Sequence, residues 1–200
     1  MQVVACTTPA NFFHALRRQL KRSFRKPLIA MTPKSMLRNK RAVSALSAFS
    51  MGSSFHRILW DHAETHKGEK IKLAKDEKIR RVVICSGKVY YDLYDDREKR
   101  GIDDVYLLRI EQLYPFPLKA LVRELSRFKR ADVVWCQEEP KNMGAWSFVE
   151  PYMEWVLAQA GGKAYRAAYI GRPMSAATAT GLMSKHLAQL KAFMDECFAE

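Results

Sequence analysis

At 200 residues, with 48% hydrophobic and 11% aromatic side chains, the chain is long enough to bury one good core and part of a second. No stretch approaches the roughly 18 consecutive apolar residues of a membrane span, the start Met1-Gln2-Val3-Val4-Ala5-Cys6 lacks the pattern of a signal peptide, and four scattered cysteines without a CxxC pair (Cys6, Cys85, Cys136, Cys197) argue against a zinc site or a disulfide framework. The expectation is a soluble globular protein inside the cell whose net charge of +13 is unevenly placed: residues 1–81 carry 18 Lys and Arg against 5 Asp and Glu, and residues 82–200 carry 16 of each.

Residues 2–6 form a short apolar run suited to a strand, and Thr7-Thr8-Pro9 supplies a turn and a helix entry. A helix is expected over 9–24, because Phe13, Leu16, Leu20 and Phe24 recur at three- and four-residue steps and make one apolar stripe flanked by Arg17, Arg18, Lys21 and Arg22. Pro27-Leu28-Ile29-Ala30-Met31 reads as a buried strand stopped by Thr32-Pro33. A first strand with nothing before it to pair with reads as a piece of a larger domain. Between 42 and 77 the pattern weakens into Ser-rich and then Lys-rich sequence, where Phe55, Ile58, Leu59 and Trp60 suggest no more than a docked turn, so the segment is read as a linker.

Regularity returns after it. Short apolar runs at 81–85, 105–109, 132–136 and 165–170 read as buried strands, with Val83, Ile84, Leu107, Leu108, Val133 and Val134 as the expected core. Helices fit between them, over 88–100 before Gly101, over 118–128, over 145–160 before Gly161-Gly162, and over 182–197. Strands alternating with helices of this length imply an α/β fold, a mostly parallel sheet with helices on both faces.

Few residues group into chemistry. Ser86-Gly87-Lys88 follows a strand and opens a helix, but a phosphate loop needs Gly where Val82 stands and Ser or Thr where Val89 stands, so a tight turn is the better reading. No GxGxxG fingerprint or GxSxG elbow occurs. Glu138-Glu139-Pro140 lies at the carboxyl end of a strand, where paired carboxylates do acid/base work if burial raises one pKa; a capped loop or subunit contact is the plainer alternative. Of the five histidines, His62 and His66 are four apart without an evident third metal ligand.

Residues 17–41 contain ten Lys and Arg and no acid. Such a stretch faces solvent, a partner protein, nucleic acid or a small phosphorylated effector. Proteins that read single strands combine basic residues with exposed aromatics, whereas Phe13 and Phe24 fall within the apolar stripe, which argues against nucleic acid. For an effector, the candidate phosphate-binding residues are Arg18, Lys26, Lys34 and Arg38.

Five segments carry a resemblance that spans nearly the whole chain: CTTPANFFHALRRQLKRSFRKPLIAMTPKSMLRNKRAVS (6–44), CSGKVYYDL (85–93), RIEQLYPFP (109–117), WCQEEPKNMGAW (135–146) and GRPMSAATATGLMSKH (171–186). Together they resemble the C-terminal end of the first, decarboxylating component of 2-oxoglutarate dehydrogenase complexes; Asn39, where relatives often carry His, and the segment 42–77 depart from the pattern. The resemblance implies that residues 1–41 are the tail of a pyrimidine-binding α/β domain, 42–77 a linker, and 78–200 a domain like the C-terminal domain of transketolase. It implies a subunit of a thiamine-diphosphate- and magnesium-dependent homodimer that decarboxylates 2-oxoglutarate in the tricarboxylic acid cycle. That subunit passes the succinyl group to lipoamide on a dihydrolipoyl succinyltransferase core.

The same resemblance implies acetyl-CoA or a nucleotide as an effector, and a location in the bacterial cytoplasm or, in a eukaryote, the mitochondrial matrix. The family's GDG motif is absent here and its last active-site histidine would precede Met1. No catalytic, cofactor-binding or metal residue is therefore carried over, no cofactor is expected to bind these residues, and the chain alone is expected to be inactive, serving dimerisation, the active-site edge and regulation. The alternative from another class is an independent basic α/β nucleic-acid-binding module.

Overall fold

In the computed structural model, which describes residues 1–66 and 68–199, the chain opens as a strand–helix–strand unit. β1 (Gln2–Val4) leads into α1 (Pro9–Lys21), whose N-terminus is set by Thr8: its hydroxyl accepts from the Asn11 N–H at 3.3 Å, and Pro9 occupies the first turn, where no amide donor is needed. β2 (Leu28–Ala30) then returns parallel to β1.

Residues 42–77 depart from the expected linker. They contribute the short strand β3 (Ile58–Leu59) and the single-turn helix α2 (His62–Thr65). Next come β4 (Arg81–Cys85), α3 (Val89–Arg100), β5 (Val105–Ile110), β6 (Gln112–Tyr114) and α4 (Leu118–Leu125). β7 (Asp132–Pro140), α5 (Trp146–Ala160), β8 (Ala168–Arg172) and α6 (Met183–Phe198) complete the order. Gly101 closes α3 at φ +67°, a conformation open to glycine, with its N–H on the Arg97 and Glu98 carbonyls.

The strands form two sheets. The smaller runs β2-β1-β6, with β6 antiparallel to β1, and the larger runs β3-β5-β4-β7-β8, parallel throughout except for the antiparallel edge strand β3. Along β4, Val82 and Ile84 pack toward α4 and α5, while Val83 and Cys85 pack toward α3 and α6. A sheet covered on both faces needs continuous apolar strands, and the expected core residues meet that need: Val83, Ile84, Leu107 and Leu108 are wholly buried, and Val133 and Val134 nearly so. Each such side chain contributes about 1.5–3 kcal/mol by leaving water.

The apolar stripe of α1 has the helical period expected of it but faces outward. Phe13, Leu16, Leu20 and Phe24 are 42–75% exposed, and the helix turns Ala10, Asn11, His14 and Ala15 inward. The polar half of the inward surface is matched by its partners: Asn11 Nδ2 donates to the His56 carbonyl (2.9 Å), the His56 N–H donates to Asn11 Oδ1 (2.9 Å), and His14 Nε2 lies 2.8 Å from the Ala48 carbonyl. These bonds satisfy polar groups that would be costly to bury alone.

Candidate functional site: the seam between the sheets

Glu111 is the one residue between β5 and β6, so the chain passes from the larger sheet to the smaller across it. Its carboxylate is fully buried and accepts three hydrogen bonds from the opening segment: the Thr7 N–H (2.9 Å), the Thr7 hydroxyl (2.5 Å) and Asn11 Nδ2 (2.8 Å). Its carbonyl accepts the Ala5 N–H at 2.8 Å. Burial pushes the Glu111 pKa up, while Arg109 and the Thr7 and Asn11 donors pull against it. Arg109, buried as well, donates to Thr7 Oγ1 (3.1 Å) and the Trp60 carbonyl (2.9 Å), and its guanidinium stacks 3.9 Å from the Tyr90 ring centroid. The Arg and Glu of RIEQLYPFP thus tie the first 11 residues to the rest of the molecule. Sequence reasoning used them as words of a family motif and missed this role; two charges at the end of an apolar strand were the available signal, because buried charges need partners.

At the carboxyl ends of β4 and β7, the chain leaves toward opposite faces, into α3 and α5, and a cleft of about 790 Å³ opens there, walled on the other side by Val3 and Met31. This is the place where open α/β sheets receive ligands. Ser86-Gly87-Lys88 lies in the cleft as a turn: the Ser86 hydroxyl donates to the Ile110 carbonyl (2.9 Å), Gly87 adopts φ +76°, and the Lys88 ammonium is held by Asp92 (2.9 Å) and Glu138 (3.0 Å). Two carboxylates on that lysine leave no phosphate-loop geometry. Glu138-Glu139-Pro140 belongs to β7 itself, which runs four residues beyond its expected end. The rest of WCQEEPKNMGAW is built around Gln137, whose amide accepts from Trp135 Nε1 (2.9 Å) and the Trp146 N–H (3.0 Å) and donates to the Met143 carbonyl (2.7 Å). Gly144 sits against it at φ +66°, where a Cβ would stand 3.0 Å from Gln137 Nε2.

A second cavity, about 500 Å³, is lined by Arg17, Arg18, Lys21, Arg57 and Arg123. Arg18 lies over the Phe55 ring (3.9 Å), with Nε and Nη2 buried and unpartnered among the described residues. Burial, together with Arg22 and Arg57, brings its pKa down to about 10. The other sequence candidates lie elsewhere: Lys26 lines a separate cavity with Arg22, Phe24 and Tyr114, while Lys34 and Arg38, at the ends of a 3-10 turn (Lys34–Arg38), line neither. The rings of His62 and His66 lie 4.2 Å apart, yet among the described residues no three His, Cys, Asp or Glu side chains come together as metal ligands.

The family model described as 2-oxoglutarate dehydrogenase C-terminal matches residues 43–198. Among curated proteins, the chain is 71% identical to the 2-oxoglutarate dehydrogenase E1 components of Brucella anthropi and Brucella ovis, and 70% identical to that of Brucella abortus, over 98% of its own length in each case. It spans 20% of the length of these relatives. The match begins at residue 43, within the segment expected as a linker, in keeping with the strand and buried contacts found there. The chain belongs to the 2-oxoglutarate dehydrogenase C-terminal family.

Proposed function

We propose that this chain is the C-terminal part of a thiamine-diphosphate-dependent 2-oxoglutarate dehydrogenase first component, where it forms a non-catalytic platform of transketolase C-terminal-like type beside the active site and the dimer interface. The observation that carries the reading is the family match together with 71% identity along nearly the whole chain. The sequence has no GDG segment, and among the described residues no three His, Cys, Asp or Glu side chains come together. In this reading, binding of thiamine diphosphate, decarboxylation and transfer to the succinyltransferase core belong to other parts of the first component. Residues 1–41 serve in this reading as the tail of the pyrimidine-binding domain, locked to the platform through Glu111, and the location is cytoplasmic or mitochondrial.

The test is an assay of 2-oxoglutarate decarboxylation with thiamine diphosphate, magnesium and an artificial electron acceptor. The expected result is no turnover by the chain alone, and restored turnover when it is mixed with a Brucella first component truncated before the matching fifth. Turnover by the chain alone, or binding without any restoration, overturns the reading. Arg18, with its two unpartnered nitrogens in the basic cavity, is the residue we propose for an anionic effector such as acetyl-CoA or a nucleotide, and Arg18→Ala in the full-length enzyme should abolish effector binding measured by calorimetry. A second reading, nucleic-acid binding, draws on the exposure of Phe12, Phe13 and Phe24 beside Arg17 and Lys21; it requires single-strand binding that weakens steeply with salt.

A further inference from the structure

β8 ends at Arg172, and beside it a cavity of about 410 Å³ opens between the end of β7, the loop 173–182 and the first turns of α6. We infer that this cavity is an anion site that takes the phosphate group of a small phosphorylated molecule, with Arg172, Lys185 and His186 as its donors.

Arg172 is 6% exposed, and its guanidinium donates to three acceptors: the Glu138 carbonyl (2.8 Å), Gln189 Oε1 (2.6 Å) and His186 Nδ1 (3.1 Å). None of the three is a carboxylate, and one N–H on each terminal nitrogen is left over. Arg97 is buried to a similar degree and has Asp61 as its counterion, whereas Arg172 forms no ion pair among the described residues. A buried charge without an opposite charge is costly, and an anion in the adjoining cavity would remove that cost. With the Arg172 guanidinium donating to Nδ1, Nε2 is the ring nitrogen left to serve as a donor. Lys185 brings a second positive charge to the same wall.

Glu138 and Glu139 line the cavity as well, but one is paired and the other screened. Glu138 is turned to Lys88 at 3.0 Å, and Glu139 is exposed, so water and salt screen it. The loop that closes the cavity is held in place by Asn142, which donates to the Ser175 carbonyl and accepts from the Ser175 N–H, both at 3.0 Å. A guanidinium, an ammonium and an imidazole lining one cavity offer several donors to a tetrahedral oxyanion, more than a planar carboxylate can use. The site is formed by residues 138–189 and shares none with the basic cavity at Arg18.

Titration of the full chain with inorganic phosphate and with glycerol phosphate, followed by calorimetry and by the His186 imidazole resonances, tests this. The expected result is saturable binding that perturbs His186, is weakened about tenfold or more by Lys185→Ala, as loss of one charge-assisted bond implies, and is unchanged by Arg18→Ala. Arg172→Gln should abolish it; because Arg172 also joins β8 to α6, the exposed Lys185 gives the deciding variant. Absence of saturable binding, undiminished affinity in Lys185→Ala, loss in Arg18→Ala instead, or equal displacement by succinate would each overturn the assignment.

Discussion

Arg97 can be wholly buried because Asp61 meets it with both carboxylate oxygens, one at 2.7 Å from Nη2, while the same carboxylate caps α2 at the Ala63 N–H (2.9 Å) and accepts the Leu107 N–H (2.8 Å). Removing one partner of such a pair leaves a bare charge in the core, so Asp61→Ala should cost about 3–5 kcal/mol, read as a drop in the urea midpoint with unchanged slope. His62, next along the chain, is held neutral: burial first, then the positive charges of Arg109, His66, Arg41 and Arg97, bring its pKa down to about 2 from an ordinary 6.5. Since the unfolded chain binds a proton below about pH 6.5 and the folded chain does not, this residue makes stability fall as pH falls from there toward 2. The slope is at most about 1.4 kcal/mol per pH unit. Melting temperatures between pH 7 and pH 5 should decline less steeply in His62→Phe than in the native chain; parallel curves would show that His62 is protonated in the fold.

At the level of elements, α1 shows what a hydrophobic period conveys and what it leaves open. The three- and four-residue spacing of Phe13, Leu16 and Leu20 marks a helix, but which face turns inward depends on distant partners such as His56 and Glu111, which no local pattern reveals. β4, β5 and the first half of β7 were legible for the opposite reason: a strand buried on both faces is apolar at every position. β3 has two residues and β6 three, too short for any periodicity, and Asp61 reads as a solvent residue until Arg97 is placed beside it 36 positions later. The seam was hidden by the same distance, since Thr7 and Glu111 are 104 residues apart, whereas the basic stretch was plain from charge alone and its division among separate cavities was not. An outward apolar stripe has a consequence in solution: the chain should self-associate with rising concentration in sedimentation velocity, and the double variant Phe13→Glu, Leu20→Glu should run as a monomer with an unchanged far-ultraviolet spectrum.

For the molecule as a whole, the joint at Glu111 makes two sheets into one folding unit. Val4 is fully buried in the small core with Cys6 and Ala15, which alone is too little apolar surface for residues 1–41 to hold a fold. Thermal unfolding should therefore be a single transition in the native chain. In Glu111→Ala, which strips three donors of their acceptor, the opening segment should exchange its amides rapidly while β4, β5 and β7 stay protected; slow exchange at residues 2–4 in that variant would contradict the coupling. The passage between the sheets also bears on the lengths this protein family can tolerate. With a single residue spanning two hydrogen-bonded ladders, there is no slack: one inserted glycine after Glu111 would turn every β6 side chain to the opposite face, moving the buried Gln112 outward. Insertions should thus be accepted in surface turns such as the one near Gly52 and rejected at 111, a pattern that a library of single-codon insertions scored by soluble yield would display directly.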